Sequence, residues 1–102
     1  MGACTFMNSV KGASAEKAFA FATERARYDH GHSGYTGTIA EKHDYVLIPF
    51  SPTDEAAAQH EAMALAQKLL NDGDPRIDDK WGPAGCIAVG NGEFIFFGWA
   101  SS

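Results

Sequence analysis

The sequence predicts an α+β fold with elements in the order β-α-β-β-α-β and one further strand at the end. Two Ala-rich stretches carry apolar residues at helical spacing, short β-branched and aromatic runs flank them, and Gly90-Asn91-Gly92 is a strong hairpin signal. That order is the ferredoxin-like split βαβ plan, which implies an antiparallel sheet with two helices on one face. With 102 residues, 45% of them hydrophobic, the chain has the size and composition of a single globular domain spanning 1–102.

Residues 3–10 read as a first strand, with Cys4, Phe6 and Val10 in phase. Ser14 suits the N-cap of a helix over 14–29, whose Ala15, Phe19, Ala22 and Ala26 form one apolar stripe. Phe21 lies about 200° around the axis from Phe19, and Tyr28 repeats its position, so the helix has a second apolar side. After the glycine-punctuated loop Gly31–Gly37, a strand is expected near 36–42, with Thr38, Ala40 and Lys42 alternating against Ile39 and Glu41. His43-Asp44 turns the chain into a strand at 45–48, which is apolar on both faces and closed by Pro49 and Pro52.

Thr53 or Asp54 caps a second helix over 54–71, where Ala58, Ala62, Leu65 and Leu69 make a stripe flanked by Met63, Ala66 and Leu70. Gly73 and Pro75 stop it. An acidic loop over 71–83 precedes a strand at 84–89, then the Gly90–Gly92 turn and a last strand at 93–99 that is apolar at nearly every position. With both helices on one face, the strands at 45–48 and 94–99 leave an aromatic surface on the other, large enough to drive association. A homo-oligomer is therefore expected, packed through Phe94, Phe96 and Trp99 or through Phe21 and Tyr28.

The net charge of -5 lies wholly in residues 51–102, which hold three Lys/Arg and eight Asp/Glu, while residues 1–50 hold five of each. The absence of a basic run argues against nucleic acid or an anionic membrane as partner and favours a cationic one. No apolar stretch approaches a membrane span, and Phe6 stands where an N-myristoylation signal wants Ser or Thr. Cys4 and Cys86 lack metal-type spacing, and the expectation is two buried thiols on neighbouring strands in a reducing cytoplasm.

Asp29-His30-Gly31-His32 is the most suggestive chemical cluster, since two histidines and a carboxylate are metal or acid–base groups. His-x-His alone lacks the three or four ligands a site needs, and histidine also suits a helix C-terminus. The Gly31–Gly37 loop, with Ser33, Tyr35 and Thr36, offers backbone N–H groups to a small ligand, but it runs from helix to strand and so lacks the helix dipole of a phosphate loop. Asp72, Asp74, Asp78 and Asp79 miss the glycine and terminal Glu of a calcium loop. Lys80-Trp81-Gly82-Pro83 places an indole in a loop, expected as a core plug, with a stacking platform as the alternative. No nucleophile–base pair can be assembled, and the residues imply no cofactor.

The strings Tyr28–Lys42 and Lys80–Ile87, with Met1-Gly2-Ala3, resemble those of small uncharacterised proteins of bacteriophages and prophages, especially of actinobacteria. The resemblance implies a genetic setting in which small acidic proteins block a host protein or sequester a signalling nucleotide in the host cytoplasm. The leading expectation is a non-catalytic, oligomeric binding protein that occupies a host protein or a small ligand through His30, His32, Ser33, Tyr35, Thr36, Lys80 and Trp81. The alternatives are a metal- or His-dependent hydrolase of a nucleotide or phosphoester centred on Asp29, His30 and His32, and a purely structural oligomer. In a ferredoxin-like subunit the two contact loops fall at opposite ends of the sheet, so a shared site requires a subunit boundary or another topology.

Overall fold

The computed structural model describes residues 2–30 and 36–102, and the side chain of His30 lies outside the description. Six main elements follow one another: β1 (Ala3–Lys11), α1 (Ala15–His30), β2 (Tyr45–Leu47), α2 (Ala58–Asp72), β3 (Ala84–Gly90) and β4 (Glu93–Ser101). Single 3-10 turns stand at Ile39–Glu41 and Glu55–Ala57. The α+β class is as expected, but the sheet is mixed and ordered β1-β4-β3-β2, with β2 parallel to β3 and the other two pairs antiparallel. The antiparallel ferredoxin-like sheet is therefore corrected.

The source of the difference is residues 36–42. Their alternation reads as a strand, yet they fold as a turn because side chains bond the local backbone. The Thr38 hydroxyl accepts the Ala40 N–H, and the Glu41 carboxylate accepts both the N–H and the hydroxyl of Thr36. Without that strand, β2 connects through α2 to β3 as a parallel crossover, the ordinary use of a strand–helix–strand unit. Gly90, Asn91 and Gly92, all at positive φ, then make the hairpin that brings β4 back between β3 and β1.

The helices cover opposite faces, which corrects their placement on one. Ala18 and Ala22 of α1 pack with Phe6, Ala84, Cys86, Phe96 and Ala100, and Ile39 of the 3-10 turn completes that cluster. On the other side, Ala62, Ala66, Leu69 and Leu70 of α2 pack with Ile77, Ile87, Ile95 and Phe97. Successive strand residues point to opposite faces, so Phe96 feeds one core and Phe97 the other. The apolar character of β3 and β4 on both faces thus reflects two covering helices rather than an open face. Phe96 is fully buried, which corrects its placement at an interface, and Phe94 and Trp99 are half-buried beneath α1 and α2 respectively. Phe21 and Tyr28 remain 55% and 86% exposed.

Local chemistry fixes the ends of the elements. The Ser14 hydroxyl accepts the Lys17 N–H at the start of α1. Gly73, at φ 66°, closes α2 in the left-handed conformation and gives its N–H to Leu69 and Leu70. Asp74 then holds Arg76 through two bonds of 2.9 Å from the guanidinium, which keeps the Asp74 carboxyl down at about 2. Gly85 is required by close packing, because a Cβ there would lie 2.5 Å from Cζ of Phe97. Among the described residues, no helix is long and apolar enough to cross a membrane.

Candidate functional site

Thr36 and Gly37, the described part of one loop expected to carry contacts, and the Lys80–Trp81 loop converge on one end of the sheet. Gly2 and Ser102 exchange N–H···O bonds of 3.2 and 3.1 Å there, and the Gly37 N–H donates to Ser101 at 2.8 Å. Lys80 Nζ reaches the Gly2 carbonyl at 3.3 Å. Thr36 and the Lys80–Trp81 pair therefore share that end, which the mixed topology permits and a ferredoxin-like one forbids. His30 is the last residue of α1. His32, Ser33 and Tyr35 lie outside the described residues. Asp29, also singled out, is ion-paired with Arg25 at 3.4 Å on the exposed flank of α1.

Lys42 ties the Ile39–Glu41 turn to the Asp79–Gly82 loop, and sequence reasoning missed it. Its side chain is among the largest that are fully buried, at 1% exposure, and Nζ donates to the carbonyls of Gly82 at 2.8 Å, Lys80 at 3.2 Å and Asp79 at 3.3 Å. Three carbonyls match the three donors of an ammonium group, so the buried charge is satisfied by the backbone of one loop. Burial pushes the Lys42 ammonium below its usual range, and the nearby Asp79 carboxylate opposes that shift. The sequence signal was weak, because a lysine alternating with Ile39 and Glu41 reads as the wet side of a strand.

The loop so held is a compact turn. The Asp79 carboxylate accepts the Trp81 N–H at 2.9 Å, and its carbonyl accepts the Gly82 N–H at 2.9 Å. The turn projects Trp81, which is 65% exposed, with Lys80 Nζ 5.5 Å from its ring centroid. The reading of Trp81 as a core plug is thus corrected. His43, Asp44, Gly82 and Pro83 border a shallow depression of about 220 Å³ beside it.

Among the described residues, the thiols and acids do not assemble into a reactive centre in this region. Cys86 is buried, and that burial pushes its thiol up to about 11, far from the thiolate a nucleophile needs. Cys4 is exposed, correcting the expectation of two buried thiols, and β4 separates its strand from that of Cys86. Two strand spacings, about 10 Å, exceed the reach of a disulfide. Among the described residues, no three His, Cys, Asp or Glu side chains come together as a metal site. A larger groove of about 660 Å³ runs between β1 and the flank of α1, bordered by Phe21, Arg25, Asp29 and Thr38. The chain matches no protein-family model, and no curated protein or solved structure shows significant similarity to it.

Proposed function

We propose that the protein is a non-catalytic binding protein whose contact surface is the end of the sheet where Thr36–Thr38 and Lys80–Trp81 meet, and whose ligand is another protein. The observation that carries this reading is the exposed Trp81 indole on a loop braced from beneath by buried Lys42. An aromatic anchor held in place before binding loses little freedom when a partner covers it, and such residues dominate binding energy at interfaces. Lys80 beside the ring adds a cation, and the depression lined by His43 and Pro83 offers a seat for a neighbouring side chain.

The resemblance to phage-encoded proteins supports a bacterial host protein as the partner, met in the host cytoplasm. Affinity capture from a bacterial extract, with wild type and Trp81→Ala as matched baits, tests the proposal. Trp81→Ala should keep the wild-type melting temperature and lose the captured partner by about tenfold or more, the weight of one hot-spot residue. Identical capture by both baits would remove Trp81 from the contact, and turnover of a nucleotide or phosphoester by the purified protein would replace binding with catalysis.

A further inference from the structure

We infer that β1 and the flank of α1 form a twofold self-association site, through which two copies join their sheets edge to edge. The two edges of the sheet differ. At one edge, β2 is three residues long, and past Ile48, whose N–H still bonds Cys86, Pro49 blunts it. At the other, β1 runs nine residues in unbroken register with β4, without proline, and its only charge is Lys11 at the end. Among the described residues, β1 pairs with β4 alone.

The ladder phase shows which groups are unpaired by β4. The reciprocal Gly2–Ser102 bonds and the Gly12 N–H to Gly92 bond place even-numbered residues in the bonded pairs with β4. Ala3, Thr5, Met7, Ser9 and Lys11 therefore turn their N–H and C=O groups to the edge away from β4, where no strand pairs with them among the described residues. A long edge strand of this kind is a template for another strand.

The flank of α1 indicates that the other strand belongs to a second copy. Phe21, Glu24, Arg25 and Tyr28 border one shallow depression of about 220 Å³, and Phe21 and Arg25 also line the groove along β1. A twofold axis between Glu24 and Arg25 runs two such helices antiparallel. It sets Phe21 opposite the partner's Tyr28 and Glu24 opposite the partner's Arg25, so one operation pairs aromatic with aromatic and acid with base. An isologous interface needs this self-complementarity. Two rings exposed by 55% and 86% supply about 300 Å² per copy, and the strand edge supplies the rest of the roughly 800 Å² of a stable interface. The surface lies on α1 and β1, so this inference stands independently of the Trp81 contact.

The test is sedimentation velocity at micromolar concentration on the wild type, Arg25→Glu, Glu24→Arg/Arg25→Glu and Thr5→Pro. The wild type should sediment at twice the chain mass of 10.9 kDa. Arg25→Glu sets like charges together and should weaken the dimer about tenfold or more, and the double swap should restore it because it reverses the pair across the axis, the exposed Arg25–Asp29 pair that both variants lose being common to them. Thr5→Pro removes an edge N–H without touching the β4 ladder and should also weaken it. Circular dichroism checks that each variant is folded. A monomeric wild type, a dimer indifferent to both single variants, or a double swap that fails to rescue would each overturn the inference.

Discussion

Lys42→Met removes the ammonium group and keeps most of the stem volume, so it isolates the polar half of the brace. Of the three bonds that Nζ donates, only the one to Gly82 at 2.8 Å is short, and those to Lys80 and Asp79 at 3.2 and 3.3 Å are long. A short bond from a charged donor contributes about 1.5–3 kcal/mol, and the two long ones add about 1 kcal/mol together. The wild type also bears the cost of holding a desolvated ammonium, which offsets part of that gain. Water recovers some of the lost bonding at Asp79, whose residue is exposed, and less at Gly82, which is half-buried. The net loss expected is about 2 kcal/mol, which moves a urea midpoint by about 1–2 M for a chain of this size. Amide exchange should quicken locally at Trp81 and Gly82, whose N–H groups both bond Asp79. Lys42→Arg should not rescue, because a planar fork does not match three carbonyls gathered around one point. A loss below about 0.5 kcal/mol with unchanged exchange at Trp81 would refute the brace, since a buried unpaired charge alone predicts stabilisation on its removal.

Further outcomes follow from the packing. Gly85→Ala places a methyl 2.5 Å from Phe97 and 3.0 Å from Ile77, both buried, and should cost about 2–3 kcal/mol in urea unfolding. Phe96→Ala empties the ring that meets Phe19 and Tyr45 at 5.5 and 5.9 Å, and should cost about 3–5 kcal/mol while leaving the sedimentation mass unchanged. A changed mass would return Phe96 to an intersubunit role. The Cys86 thiol is held protonated to about 11, against 9.0 in the unfolded chain, so the folded state keeps a proton that the unfolded state gives up. Its contribution is therefore whole below pH 9.0 and is lost as pH rises through about 11, on the order of 3 kcal/mol in all, and Cys86→Ala should lack that decline. In the native protein a thiol reagent should label Cys4 and spare Cys86.

The helices and the hairpin were legible because each rests on local signals. The stripe of Ala15, Phe19, Ala22 and Ala26 packs as read, as do Ala58, Ala62, Ala66, Leu69 and Leu70, while Met63 stays exposed, and the Gly90–Gly92 turn falls where its composition requires. The second side of α1 was also legible, since Phe19 stacks into the core near Tyr45 while Phe21 stays out. What sequence could not reveal was which helix covers which face. A strand such as Phe94–Trp99, apolar on both sides, signals burial on both sides without naming the cover. Assigning that surface to a second subunit followed from the antiparallel plan, and the plan followed from reading 36–42 as a strand.

The site was legible in part for the same reason. Trp81 and Lys80 stand out in any loop by residue type, and Thr36 by its glycine-rich neighbourhood. Their convergence depended on long-range topology, which a single mistaken strand altered. Lys42 was illegible because its partners are backbone carbonyls some forty positions away, and carbonyls leave no trace in residue identity.

The central claim is that the Lys42-braced Trp81 surface holds a partner. Native mass spectrometry of wild type and Trp81→Ala, each freshly purified from cells that contain the partner, tests it most directly. The account predicts extra mass on the wild type that vanishes on denaturation and is absent from Trp81→Ala. The same mass on both proteins, or on neither, would contradict it.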